Sequence, residues 1–251
     1  MENTDIPTLA GVGVGPGDPA LITLRALQVL DAADAILVPA TEAREGSVGR
    51  AESIVVEHLP HKAEQIHRVP FSMAQRRGVD ERRTNAWEAS AAVALDAFAG
   101  GAQLVALATV GDPSVYSTFS YLCDVVRRQR EVNVEVVPGI TAMQAIAARS
   151  RTPLVEGQEI LALVPATVGE EALRRVCEVA DTVTIYKGGR QLAALKDVLA
   201  EQGRLESALI GTDVGLPDER ITRLAELDES KAPYFSTVLA PASRTKTGGR
   251  L

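Results

Sequence analysis

Four turns in this chain combine glycine with proline or a small polar residue directly after an apolar run: "GVGPGDP" (13–19), "TVGDPSVYSTF" (109–119), "VPGITAM" (137–143) and "IYKGGR" (185–190). Glycine-rich turns between a strand and a helix often hold phosphate on backbone N–H groups. The spacing here argues against that use. A P-loop needs Gly-Lys-Ser/Thr, and Gly17 is followed by Asp18 and Pro19. The dinucleotide pattern G-x-G-x-x-G meets Pro16 when counted from Gly11 and Asp18 when counted from Gly13. Pro16 and Pro19 also lack the N–H donors that an anion nest uses. The turns suit close approach of backbone to an uncharged or cationic ligand. Asp112 would stand at the rim, with Thr118 and Thr141 hydrogen-bonding at helix starts.

Such turns need a scaffold that brings them to one edge. Apolar runs predict strands at 9–14, 35–38, 65–69, 103–108 and 133–137, alternating with helices at 21–33, 84–99, 118–129 and 141–149. Leu24, Leu27 and Leu30 are expected to share the buried face of the first helix. Pro70 restricts the 65–69 segment to an edge or an end. The alternation predicts a parallel, doubly wound α/β sheet, in which ligands bind beyond the carboxyl ends of the strands. "RSRTPLVEGQE" (149–159) breaks the pattern, giving an N-terminal domain of 1–152 and a C-terminal α/β domain of 153–251 with a mixed sheet. Strands follow at 160–164, 182–186 and 208–212, with a helix at 191–202 ending at Gly203. Segments 220–223 and 234–239 suit an antiparallel end to that sheet.

The composition, 46% hydrophobic and 24% charged over 251 residues, is that of a globular protein. No run approaches the roughly 18 apolar residues of a membrane helix, and the acidic start "MENTDIPTLAG" lacks a basic signal region. A cytoplasmic location with Cys123 and Cys177 as reduced, structural thiols is expected. The net charge of −7 argues against nucleic acid as partner. His58, His61 and His67 lie close together, but Pro60 interrupts them and no carboxylate or thiol joins them, so no metal site is expected. Trp87, with Val93, Leu95 and Phe98, reads as the apolar side of a helix.

"GVGPGDPALIT", "GDPSVYSTFSYL" and "VPGITA", in this order and at these separations, resemble the tetrapyrrole methylase family from about Leu9 to Leu239. "GDPSVYSTFSYL" together with "FSMAQ" (71–75) looks most like the members that methylate precorrin-2 at C-20 in corrin biosynthesis. The resemblance implies a two-domain α/β homodimer, S-adenosylmethionine as methyl donor between the domains, and a tetrapyrrole as substrate. Carried over, Pro16, Val110, Gly111, Asp112, Val115, Thr118, Thr141 and Ala142 belong to the donor site, with Asp112 near the ribose or amino group. Tyr186, Lys187 and Val214 would close it from the second domain. The family commonly has an apolar residue in place of Lys187, and a cation beside a sulfonium is tolerable only if its aliphatic stem makes the contact.

The implied reaction moves a methyl group to a nucleophilic ring carbon and calls for no metal. Arg76, Arg77, Arg82 and Arg83 are candidates for the substrate carboxylates, as are Arg44, Arg50 and Arg68, against the simpler reading of solvated surface charge. Tyr116 is a candidate for hydrogen-bonding the substrate or removing a proton, or is a packed ring. Precorrin-2 carrying cobalt, another tetrapyrrole, a nucleotide-dependent oxidoreductase and a non-catalytic tetrapyrrole carrier stay open as alternatives.

Overall fold

The computed structural model describes residues 6–40, 48–70, 81–228, 232–233 and 235–244, with the backbone alone at 81 and 82. Arg44, Arg76, Arg77 and the "FSMAQ" segment lie outside the described residues, as does the side chain of Arg82. The chain divides into two compact units, 1–141 and 142–251.

In the first unit β1 (Thr8–Gly13), β2 (Ala35–Pro39), β3 (Ile66–Val69), β4 (Leu104–Thr109) and β5 (Asn133–Val137) form an all-parallel sheet in the order β3-β2-β4-β1-β5. Successive strand residues point to opposite faces, and both faces here are apolar. Ala10, Val12, Ile36, Val38, Ala106 and Ala108 meet α1 (Leu24–Ala32) and α2 (Arg50–His58) in one core. Leu9, Ala35, Leu37, Val105 and Leu107 meet α3 (Glu81–Ala99) and α4 (Phe119–Arg127) in another. This is the doubly wound arrangement expected from the alternation, and β3 takes the edge that Pro70 requires.

The first helix differs from its expected form. Asp18 caps a short 3-10 turn (Pro19–Leu21) by accepting from Ala20 N at 3.0 Å, and Thr23 caps α1 by accepting from Ala26 N at 3.1 Å. With the helix starting at 24, its buried face falls on Ala26, Val29 and Leu30, leaving Leu24 80% exposed. Helix α2 had no counterpart in the sequence reading. Pro60 opens a separate 3-10 turn after it, so His58 ends one element and His61 belongs to the next.

In the second unit β6 (Leu161–Pro165), β7 (Thr182–Tyr186), β8 (Leu209–Thr212), β9 (Arg220–Arg223) and β10 (Ser236–Ala240) give the order β6-β7-β10-β8-β9. Only β6 and β7 are parallel; β10 runs antiparallel to β7 and β8, and β9 antiparallel to β8. β9 and β10 were expected to finish the sheet together. Instead they flank β8, because β10 is buried at all five positions whereas β9 exposes Arg220 and Arg223 and suits an edge.

Helix α5 (Ala142–Ser150) packs Ala145, Ile146 and Ala147 against Leu239 and Val214 on one face of this sheet. α6 (Glu170–Val179) and α7 (Leu192–Glu201) cover the other through Leu173, Cys177, Leu195 and Leu199. α6 was also missed in the sequence, although Glu170–Arg174 and Glu171–Arg175 carry its i,i+4 signature and pair at 3.2 and 3.1 Å. Since α5 packs with the second sheet, the units part ahead of it, eleven residues before the 152/153 division read from the Pro/Gly break.

Candidate functional site

The turns after β1, β4 and β5 meet through bare backbone. Gly111 N donates to Gly15 O at 2.7 Å, forming an isolated antiparallel bridge, and Val14 N donates to Thr109 O at 3.0 Å. A Cβ on Gly13 would sit 2.6 Å from both Gly111 O and Gly139 N. One on Gly139 would strike Gly111 O. These two glycines are therefore required by close approach, while Gly15 and Gly111 adopt φ of +87° and +75°.

Asp112 fastens the same junction. One carboxylate oxygen accepts from Ser114 N at 2.7 Å and from the Ser114 hydroxyl; the other accepts from Gly139 N at 2.9 Å. Burial pushes the carboxyl pKa up, but the bonds from Ser114 and Gly139 outweigh it and hold the group below the ordinary aspartate value. The D-x-S spacing is an Asx-turn signal readable in the sequence. The bond to Gly139, 27 residues away, is not.

Around this junction the structure gathers the expected residues of the first unit. Pro16 is buried in the first turn, Val110 and Val115 are half-buried, and Thr141 is buried with its Cα 4.0 Å from the Cβ position of Gly111. Tyr116 is 39% exposed at φ +52°. Thr118 departs from expectation. Its backbone is already near-helical (φ −88°, ψ −3°) and its hydroxyl makes no cap bond; Ser117 Oγ accepts from Phe119 N at 3.1 Å instead.

In the second unit the Tyr186 hydroxyl accepts from Met143 N at 3.1 Å, which puts Tyr186 at the start of α5 beside Ala142. Met143 was not singled out in the sequence, because an N–H at a helix start carries no side-chain signature. Val214 is 3% exposed and packs with Ala145 and Ile146. Lys187 and Asp213 take φ of +60° and +50°. With Tyr116, they are three of the four described non-glycine residues at positive φ; Tyr116 and Lys187 lie in turns already marked as site candidates, and Asp213 adjoins Val214. Strain of this kind gathers at binding sites.

Arg68 is withdrawn from the substrate candidates. It grips Glu52 with two bonds of 2.8 Å, and Glu52 is 8% exposed. Trp87 is not simply the apolar side of α3. Its ring stacks on Tyr121 with centroids 4.2 Å apart at 14°, and the Arg83 guanidinium lies 5.3 Å from its centroid. His58 Nε2 contacts Pro19 O at 2.9 Å, and His61 pairs with Asp31 at 2.7 Å. No group of three or more His, Cys, Asp or Glu side chains arranged for a metal occurs among the described residues. Burial pushes both cysteine thiols up in pKa, in keeping with structural roles. No described helix is long and apolar enough to cross a membrane.

Comparison with known proteins adds to this geometry. The model of the Tetrapyrrole (Corrin/Porphyrin) Methylases matches residues 8–228. The chain is 34% identical over 245 residues to the precorrin-2 C(20)-methyltransferase of Sinorhizobium sp, covering 96% of this chain and 98% of the relative. It is also 34% identical over 233 residues to the cobalt-precorrin-2 C(20)-methyltransferase of Salmonella typhimurium, covering 92% and 94%. Among solved structures, uroporphyrin-III C-methyltransferase from Thermus thermophilus, complexed with S-adenosylhomocysteine, superposes with a TM-score of 0.63 at 23% identity, covering 93% of this chain and 97% of that one.

Proposed function

The chain belongs to the tetrapyrrole (corrin/porphyrin) methylase family, and from that premise we propose that it transfers a methyl group from S-adenosylmethionine to C-20 of precorrin-2, giving precorrin-3A in cobalamin biosynthesis. The observation that carries this reading is the end-to-end 34% identity to a precorrin-2 C(20)-methyltransferase. The donor, when bound, supplies a methyl group already activated on a sulfonium. The protein's part is placement. The backbone of the turns at Pro16, Val110–Asp112, Val115, Thr118 and Thr141 holds the donor in the first unit; Ala142, Tyr186, Lys187 and Val214 of the second unit are donor contacts on the family resemblance alone. This lining fits such a donor: around the three-turn junction it offers backbone polar groups and a carboxylate that stays ionised, surroundings that suit a cation.

Alignment of ring carbon, methyl and sulfur contributes about 7–11 kcal/mol of barrier reduction in well-oriented reactions. Tyr116, exposed in the turn after β4, hydrogen-bonds substrate or, in its phenolate form, accepts the proton released at the methylated carbon. Arg76, Arg77, Arg82 and Arg83 bind carboxylates at the periphery of the macrocycle. Because a sulfonium needs no Lewis acid, the transfer proceeds without a protein-bound metal. We further propose a cytoplasmic homodimer, on the strength of the family resemblance.

A second reading has a specific observation behind it: the cobalt-precorrin-2 enzyme of Salmonella is related at the same 34% identity, so the cobalt-bearing macrocycle is the rival substrate. One experiment tests both. Precorrin-2 and cobalt-precorrin-2 are each incubated with the protein and donor labelled in its methyl carbon, and products are analysed by mass spectrometry and carbon NMR. A single labelled methyl at C-20, formed faster on the metal-free ring, is expected. Label at another carbon, or NAD binding without donor binding in calorimetry, overturns the assignment.

A further inference from the structure

We propose that Arg83, Trp87 and Tyr121 form a shelf that receives the tetrapyrrole, the outer face of Tyr121 lying along the ring, Trp87 backing it and Arg83 taking one of its carboxylates. This deepens the methyltransferase reading and rests on it. Three features on two helices support the shelf. Arg83 and Trp87 stand four residues apart on α3, the spacing that puts side chains on one helix face. The guanidinium lies over the indole at 5.3 Å, and the indole stacks on Tyr121 from α4 at 4.2 Å. The result is an ordered pile of one cation and two flat rings, with Tyr121 40% exposed.

Its place in the fold is the second argument. The Ser90 hydroxyl lies within hydrogen-bond distance of both Ala86 O at 2.8 Å and Pro70 O at 3.0 Å, which sets the middle of α3 beside the residue that follows β3. Trp87 lines a small cavity with Pro39, Val69 and Thr118, which end or follow β2, β3 and β4. The shelf therefore stands at the carboxyl edge of the sheet, where ligands of open α/β folds bind. Tyr121 is three residues beyond Thr118, about 4.5 Å along a helix.

The chemistry is the third argument. A flat, polycarboxylated macrocycle needs aromatic faces and guanidinium forks. Stacking on Trp87 immobilises Arg83 in advance, so fewer side-chain rotamers are lost when a carboxylate binds. A structural ring pair inside a core would not present its outer ring or carry a cation at its rim.

The test measures steady-state KM for precorrin-2 and calorimetric affinity for S-adenosylmethionine in wild type, Arg83→Gln, Arg83→Lys and Tyr121→Leu. Arg83→Gln is expected to raise the tetrapyrrole KM by about tenfold or more, the usual loss of a charge-assisted bond. Arg83→Lys restores part of it, and Tyr121→Leu raises KM severalfold, while donor affinity stays within twofold throughout. Unchanged tetrapyrrole KM in both Arg83→Gln and Tyr121→Leu overturns the shelf, as does a changed oligomeric mass in light scattering, which would assign these side chains to a protein interface. If wild type itself transfers no methyl to the tetrapyrrole, the methyltransferase reading has failed. Loss of the shelf alone leaves wild-type turnover intact.

Discussion

Asp112 spends both carboxylate oxygens inside the protein, on Ser114 and on Gly139 N. Its part in the proposed donor site is thus to hold two strand ends together, beyond any contact it would make itself. Asp112→Asn keeps the shape but loses the charge, and its amide nitrogen cannot accept. Donor affinity is expected to fall about tenfold, in line with hydrogen bonds to charged groups, with a cooperative thermal transition retained; calorimetry and circular dichroism check both. The depressed pKa also sets a pH signature. Because the folded value lies below the unfolded one, this carboxylate's stabilisation is complete above the ordinary aspartate pKa of about 3.9 and disappears as pH falls through the lower folded value. Melting temperatures of wild type and Asp112→Asn should differ by a constant amount from pH 7 to 5 and converge below about pH 4. A gap that persists in acid contradicts the clamp.

The glycine turns are where local chain chemistry and long-range packing coincide. Gly139→Ala is expected to destabilise by about 1–3 kcal/mol or more, the range for overpacking, since its Cβ meets the Gly111 carbonyl rather than a side chain that can swing away. Denaturant titration measures the loss, and donor affinity should drop with it. The glycine and proline clusters announced these turns, and the apolar runs announced β1, β4 and β5, because both signals are local. What the sequence could not display was which turns touch: nothing near residue 13 indicates that residue 139 will lie against it. The left-handed backbone of Tyr116 and Lys187 was equally hidden, since side chains of these types give no cue to positive φ, whereas aspartate, as at 213, is among the types enriched there. α6 was missed for another reason: attention to apolar runs passed over a helix whose evidence lies in Glu–Arg pairs.

The two sheets divide the labour differently. The first is wholly parallel, with both faces covered, and offers one edge lined by strand ends. The second is mixed and carries Tyr186 and Val214 close to α5. If transfer depends on placement alone, turnover on metal-free precorrin-2 should be unchanged by a chelator such as EDTA. A strict metal requirement in that assay contradicts the mechanism.

The threading of β10 between β7 and β8 has a temporal consequence. During synthesis every strand of the first sheet has been made once residue 137 is added, so that unit can condense before the rest of the chain is complete. The second keeps an open slot at its middle until residues 236–240 arrive, with both neighbouring strands offering unpaired edges meanwhile. A chain cut short just before that point and released would carry one finished lobe tethered to one adhesive one.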